Sequence, residues 1–222
     1  MRVILAELAY NSSRMETLRI SPKYKASDWT ALDRTEAAHW PKAVAIVKDR
    51  LHGRFLHFAD KCLKDDHSGF VVLSIDCLLV EAIQQFIEGE TDGRKKSERC
   101  FKRFLARPRF RSEFSSAKTR KIFYTDIRCG LLHQAQAKNQ WLVRRKQATM
   151  LQQRGTDGYI IDVERFHTAM KDSLEDYLAD ILKPESKALR ANLWTKMDHI
   201  CDERIARGVH YGTDASAAEP TA

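Results

Sequence analysis

A long apolar segment, Phe70 to Glu88, constrains the fold more than any other part of this chain. Its apolar residues recur at the spacing of a helix and form a stripe too wide to be left facing water. Polar, turn-forming residues precede it at Asp65 to Gly69 and follow it at Gly89 to Gly93, which gives the helix defined ends. We therefore predict a helix at the centre of the fold.

Further helices are predicted on both sides of this central one. Trp40 to Leu63 carries apolar residues at spacings of three and four, and Pro41 suits a first helical turn. The same period predicts helices from Ser97 to Ala106, from Ser115 and Ser116 to about Ala137 or Lys138, from the capping residue Asp162 to Pro184, and from roughly Glu185 to Arg207.

Two short apolar stretches between these helices have the composition of strands. Trp141 to Val143 and Tyr159 to Ile161 flank a polar stretch that ends in Gly155 to Gly158, so we predict a small β-hairpin over about 141–162. The predicted fold class is mainly α, a helical bundle with this hairpin inserted and helices after it. We divide the chain into a preamble at 1–35, a single helical domain at 36–210 and a disordered tail at 211–222.

The composition is that of a soluble globular protein, with 43% hydrophobic and 31% charged residues. The most apolar run is broken by Ser74 and Asp76, and Glu7 closely follows the apolar start, so neither a membrane span nor a secretory signal is predicted. We expect a cytoplasmic protein. The five cysteines form no C-x-x-C pair and the histidines lack metal-ligand spacing, so we predict no disulfide framework, metal site or cofactor.

Positive charge is concentrated in the middle of the chain. Arg94 to Lys146 contains 17 Lys and Arg against three acids, a local net charge of +14 in a chain whose total is +8, so the remainder is acidic. A basic region on an acidic remainder is expected of a protein that meets phosphate with one face. The alternative is a solvated surface that only keeps the protein soluble.

Within this basic region, Arg128 and His133 stand five residues apart on a predicted helix. At 100° per residue their side chains are about 140° apart, so they do not share a helical face. Together they suit metal-free RNA cleavage: His133 can move the proton of a 2′-hydroxyl or a leaving oxygen, and Arg128 can stabilise charge on the phosphate. Gly130 between them suggests close backbone approach, for instance of a partner helix. The alternative is a surface Arg and a hydrogen-bonded helix His.

The segment Arg128-Cys-Gly-Leu-Leu-His133, with the helices from about Trp40 to Ala137, resembles the HEPN superfamily of helical bundles built around an R-x(4-6)-H motif. The resemblance implies a metal-independent endoribonuclease of a toxin or antiphage system, a homodimer with a composite site, and Arg128 and His133 as its catalytic residues. An antitoxin or another defence-system protein is a further partner it allows. Family members often have Asn, Asp or His where this chain has Cys129, and Ala135 stands where one subtype has a modifiable Tyr.

Other residues are candidates for supporting roles. Asp126, Gln134 and Lys138 can orient the pair or hold phosphate. Glu81 and Asp76 are acids inside the most apolar helix, where an unpaired charge is costly, and Arg128 is a plausible partner for Glu81. The alternative for both acids is the solvent face of that helix.

Basic and aromatic residues alternate before the Arg128 helix. The basic residues predicted to bind RNA are Arg103, Arg107, Arg109, Arg111 and Lys121. Phe101, Phe104, Phe110 and Phe114 can stack on bases, although a place in the core is the commoner use of such residues and the one we favour.

Two other classes of function remain open at the level of sequence. One is a non-catalytic RNA-binding or nucleotide-sensing module on the same fold, which Cys129 favours. The other is a helical interaction protein in which the Arg and His spacing is incidental. RNA is the expected partner in the first of these and in the enzyme, but not in the second.

Overall fold

The computed structural model describes residues 18–156 and 158–202, which form a mainly helical domain with a small sheet. Helix α1 is Ala26–Thr30, and a 3-10 turn, Ala37–His39, leads into α2, which consists of Trp40–Leu51, the π-helical turn His52–Leu56 and His57–Cys62. Helix α3 is Gly69–Glu88 and α4 is Ser97–Phe104. Helix α5 consists of Ala117–Phe123, the π-helical turn Tyr124–Arg128 and Cys129–Gln134. Strands β1 (Leu142–Arg144), β2 (Leu151–Arg154) and β3 (Gly158–Asp162) precede α6 (Val163–Leu182) and α7 (Lys187–Cys201).

Helix α3 is central, as predicted, and packs against α4, α6 and α7. The side chains of Val72, Leu79 and Ile83 are completely buried on its inner face. The helix ends at Gly89, whose φ of +65° is a left-handed conformation that favours glycine. A Cβ there would also lie 2.9 Å from the side-chain oxygen of Asn192 on α7, so close helix packing depends on this residue.

The outer face of α3 keeps several apolar side chains in water. Val71 is 52% and Leu78 49% exposed. By length and composition alone α3 could span a membrane, but half of its most apolar stretch is buried within the domain, as in the core helix of a soluble protein. The fold is therefore compatible with a soluble protein.

The described part of the predicted preamble belongs to the domain. Trp29 on α1 is almost fully buried, packs on Trp194 with ring centroids 4.6 Å apart, and donates a hydrogen bond of 2.8 Å to Asp198 on α7. The sequence of this stretch has only weak apolar periodicity, because a single large side chain, Trp29, anchors it instead of a repeated apolar stripe. The rest of the preamble, the end of the last predicted helix and the predicted tail lie outside the described residues.

The aromatic residues of the basic segment are core residues. Phe101, Phe104, Phe110 and Phe114 have no exposed surface. They pack with one another and with further buried rings, for example Phe110 on Phe166 with centroids 5.1 Å apart. Base stacking on these rings is excluded, and the favoured prediction of a core role is confirmed.

The sheet lies where strands were predicted, but its topology differs from a two-stranded hairpin. The two predicted strands, β1 and β3, pair in parallel, with Leu142 opposite Ile160. A third strand, β2, pairs antiparallel with β3 and forms the actual hairpin. The polar sequence of β2 gave no strand signal because three of its four residues are exposed.

Candidate functional site

Helix α5 begins and ends on local signals. The Ser116 hydroxyl accepts the backbone N–H of Thr119 at 2.9 Å and caps the start, as predicted. The helix ends at Gln134 because Ala135 adopts a left-handed φ of 52°, a few residues before the predicted end. The π-helical turn, of a kind often found at functional sites, closes at Arg128.

Gly130 allows the chain to fold back against its own helix. The N–H of Lys138 donates to the carbonyl of Asp126 at 2.9 Å, and a Cβ on Gly130 would lie 2.5 Å from the carbonyl oxygen of Gln136. The close neighbour predicted for this glycine is therefore the returning chain, and no partner helix is needed to explain it.

Arg128 and Glu81 form the ion pair that the sequence suggested. The Arg128 Nε donates to Glu81 Oε1 at 2.6 Å, with the two side chains 21% and 17% exposed. The Arg128 guanidinium also lies 5.6 Å from the ring centroid of Tyr124. Burial acts to lower the pKa of Arg128, but the hydrogen bond and charge of Glu81 outweigh it and the net shift is upward. The pair holds Arg128 charged and fixed in place, and a solvent-face position for Glu81 is excluded.

A pocket of about 540 Å³ opens between α3 and α5 at this ion pair. Its walls are mostly apolar and include Leu131 and the exposed side chains of Leu78 and Leu132. Arg128 and Glu81 supply the charged groups. The pocket thus presents one guanidinium, already paired with Glu81, in a partly dry setting where interactions between charges are stronger than in water.

His133 lies outside this pocket. It is exposed near the end of α5, and its side chain forms no hydrogen bond or ion pair within residues 18–156 and 158–202. This arrangement agrees with the 140° separation expected from the spacing. A single chain does not bring Arg128 and His133 together in the Arg128 pocket.

The predicted supporting residues separate into different roles. Asp126 is buried, accepts the indole N–H of Trp141 at 3.2 Å and the hydroxyl of Thr125 at 3.1 Å, and anchors the segment after α5. These side-chain contacts serve the fold, and the role of Asp126 in orienting the pair or holding phosphate stays a prediction. Gln134 is exposed beside His133, and Lys138 is half-buried against Gly130.

Cys129 faces Tyr124. Burial raises the pKa of the Tyr124 hydroxyl, and the neighbouring Cys129 thiol adds to that rise. Cys129, where members of the HEPN superfamily often have Asn, Asp or His, is thus half-buried beside an aromatic ring of its own helix.

The predicted RNA-binding cations fall into two groups. Arg103 is paired with Glu88 at 3.0 Å, and Arg109 with Asp176 at 2.7 Å. Arg107, Arg111 and Lys121 form no ion pair within the described part of the chain. These three retain their charge for an external anion.

A second acid on α3, Asp76, forms a buried pair with His167 that sequence reasoning did not identify. The two side chains are 0% and 1% exposed, and His167 Nδ1 lies 2.9 Å from Asp76 Oδ1. The other ring nitrogen of His167 lies 3.4 Å from Asp60, which Lys171 contacts at 2.6 Å. Burial raises the pKa of Asp76 even though the hydrogen bond from His167 opposes the rise. The signal was present, because Asp76 stood out as an acid that needed a partner.

Among the described residues, no group of three or more His, Cys, Asp or Glu side chains is arranged to hold a metal ion. No protein-family model matches the chain, and no curated protein or solved structure matches it either.

Proposed function

We propose that this protein is a HEPN-type, metal-independent endoribonuclease that acts in the cytoplasm as a toxin or antiphage-defence component. The observation that carries the proposal is the Arg128 pocket. An arginine of the R-x(4)-H motif is fixed there by Glu81, while the motif histidine stands free on the surface. The basic residues without partners, Arg107, Arg111 and Lys121, would bind the RNA backbone.

The proposed enzyme is a homodimer in which each pocket takes His133 from the other subunit. Three features support this arrangement. Arg128 and His133 do not meet within one chain, Leu132 is 63% exposed between them, and Leu78 exposes apolar surface at the same pocket. A two-fold axis beside α5 would cover both leucines and deliver two equivalent sites.

In the proposed reaction His133 takes the proton of the 2′-hydroxyl and the 2′-oxygen attacks the adjacent phosphorus. The bond from phosphorus to the 5′-oxygen breaks, that oxygen takes up a proton from a water molecule, and His133 releases its proton to the solvent. The products are a 2′,3′-cyclic phosphate and a 5′-hydroxyl. Arg128 stabilises the negative charge that builds on the phosphate oxygens, and Glu81 acts as a positioning residue for Arg128.

The decisive test is complementation between two inactive variants. Arg128→Ala and His133→Ala should each reduce cleavage of an RNA oligomer by at least about a hundredfold, while His67→Ala, at another exposed histidine, should leave it unchanged. Chelator should have no effect on the wild-type protein. Mixing and re-associating the two variants should restore about a quarter of the activity, because half of the dimers then contain one intact site. Full activity of either single variant rules out the proposal, and failure of the mixture rules out the shared site.

A second candidate is a non-catalytic RNA-binding module. Cys129 beside Arg128 and the tight hold of Glu81 on Arg128 favour it. It predicts salt-sensitive RNA binding without any product that carries a 2′,3′-cyclic phosphate.

A further inference from the structure

A small pocket of about 270 Å³ lies between helix α6 and the loop that contains Arg107 and joins α4 to α5. Its charged residues are Arg107, Arg109, Asp176, Asp180 and Lys183. Arg109 pairs with Asp176 at 2.7 Å and Lys183 pairs with Asp180 at 2.7 Å. The hydrogen bond from Arg109 lowers the pKa of Asp176, so this acid stays ionised and paired with Arg109. Arg109 also contacts Asp172 at 3.4 Å, so three cations and three acids balance around the pocket. Arg107 is the cation among them that forms no ion pair within the described residues.

Arg107 is well placed to offer its charge to a ligand. Its carbonyl accepts the N–H groups of Phe110 and Arg111, both at 2.9 Å, so the backbone from which its side chain extends is fixed. Its guanidinium forms no ion pair within residues 18–156 and 158–202. The charge is also felt by Tyr177 on α6, where it acts against the strong upward effect of burial on the pKa of the phenol.

The wall of this pocket contains a buried hydroxyl that has no partner. Ser173 is 5% exposed, lines the pocket and forms no side-chain hydrogen bond within the described residues. Hydroxyls within helices usually bond to the carbonyl four residues earlier, as Thr168 does to Glu164 at 2.8 Å on the same helix. The hydroxyl of Tyr177, one turn further along, is also buried without a partner. Unsatisfied buried polar groups are rare, and two here beside one uncommitted arginine need an explanation.

We propose that this pocket is a phosphate-binding site formed by Arg107 and Ser173. A guanidinium and a hydroxyl are hydrogen-bond donors that together suit an anionic group with several acceptor oxygens. The phosphate can belong to an RNA backbone or to a free phosphorylated compound. The site lies apart from the Arg128 pocket, and its binding does not depend on RNA cleavage.

The test measures binding of inorganic phosphate by calorimetry and by backbone amide shifts in α6. Arg107→Gln and Ser173→Ala should each weaken binding by about tenfold or more, the usual effect of losing a hydrogen bond to a charged group. Arg144→Gln, at an exposed arginine of β1 outside the pocket, is the matched control and should bind phosphate as the wild-type protein does. Unchanged phosphate affinity in both Arg107→Gln and Ser173→Ala would overturn the proposal.

Stability separates a binding role of Ser173 from a structural one. Because its hydroxyl has no partner in the fold, Ser173→Ala should keep or raise the free energy of unfolding while phosphate binding falls. A loss of stability of the same size as the loss of binding contradicts the proposal, since the hydroxyl would then serve the fold.

A non-cleavable RNA oligomer with 2′-O-methyl groups distinguishes the two sources of phosphate. If the site holds an RNA backbone phosphate, Ser173→Ala weakens oligomer binding and inorganic phosphate competes with the oligomer. If it holds a free compound, Ser173→Ala weakens phosphate binding alone. Both results support the site, and neither depends on whether the protein cleaves RNA.

Discussion

Two of the acids on helix α3, Asp76 and Glu81, stand five residues apart and lie in different surroundings. Asp76 is sealed in the core against His167, whereas Glu81 meets Arg128 at the edge of an open pocket. Both are short contacts between an acid and a base, at 2.9 and 2.6 Å. Burial distinguishes them: the Asp76 pair has almost no exposed surface, and the Arg128 pair retains about a fifth. A sealed pair serves to hold helices together, while a half-open pair leaves its cation accessible to a ligand.

The largest expected effect comes from breaking the sealed pair. His167→Ala should lower the free energy of unfolding by about 3–5 kcal/mol, because it leaves Asp76 buried without its partner. Glu81→Ala should cost less, about 1–3 kcal/mol, because its pair keeps some contact with water. Denaturant titrations of both variants measure the difference.

The double variant Asp76→Leu/His167→Leu controls for lost packing at this position. It replaces both partners with apolar side chains and should recover much of the stability. If His167→Ala and Glu81→Ala lower the free energy of unfolding equally, burial does not explain a difference between the two pairs.

A second effect concerns the open pair and rests on the proposed function. Glu81→Gln should reduce RNA cleavage by about tenfold, through the rate constant at saturating RNA, because Arg128 loses its charged anchor. Glu98→Gln, at an acid outside the Arg128 pocket, is the control. Cleavage kinetics over a range of RNA concentrations measure both, and an unchanged rate at saturation contradicts a positioning role for Glu81.

The sealed pair should also give stability its own pH dependence. Burial raises the pKa of Asp76 in the folded protein, so its contribution is complete below the ordinary carboxyl pKa of about 4 and is lost as pH rises through the raised value. Asp76→Asn should remove that component, which is on the order of 1 kcal/mol for each unit of the rise. Denaturation of both proteins between about pH 4 and 7 measures it.

Asp60, on the other side of His167, contributes in the opposite direction. Burial acts to raise its pKa, but Lys171 and His167 outweigh that effect and lower it, so its stabilisation is present above pH 4 and lost in acid. Both the wild-type protein and Asp76→Asn contain Asp60, so the difference between them isolates the pH-dependent contribution of the Asp76 carboxyl. A wild-type advantage that grows with pH in this window would contradict the assignment for Asp76.

The smallest effect is expected at the exposed end of the same network. Lys171 and Asp60 are each more than a third exposed, so Lys171→Met should change the free energy of unfolding by less than about 1 kcal/mol. Thermal unfolding of Lys171→Met and of His167→Ala compares the loss of stability at the surface with the loss in the core. A cost for Lys171→Met that equals that of His167→Ala would mean that the network acts as one unit.

Local signals explain which parts of the fold were predictable. Helix α3 was predictable because its apolar stripe and the glycine at its end, Gly89, are signals carried by residues close together in sequence. The core role of Phe101 followed from the same reasoning. The pairing of β1 with β3 was not predictable, because it depends on a distant partner and because the exposed strand β2 carries no apolar alternation.

The candidate site was predictable to a similar extent. The partnership of Glu81 with Arg128 followed from the cost of an unpaired acid in an apolar helix. The contact of Asp126 with the indole of Trp141 was not predictable, because proximity to Arg128 in sequence says nothing about that partner. The choice of His167 as the partner of Asp76 was likewise beyond local reasoning, since the two residues lie on different helices.

The sequence by itself determined the helices, their caps, the basic middle of the chain and the five-residue spacing that keeps Arg128 and His133 on different faces. These properties depend on neighbours along the chain and on the geometry of a single helix. Only the tertiary structure decided which charges are sealed, which remain open and which cations are occupied. Burial and pairing arise from residues far apart in sequence, so Asp76 and Glu81, alike on one helix, became different groups only when α5 and α6 packed against them.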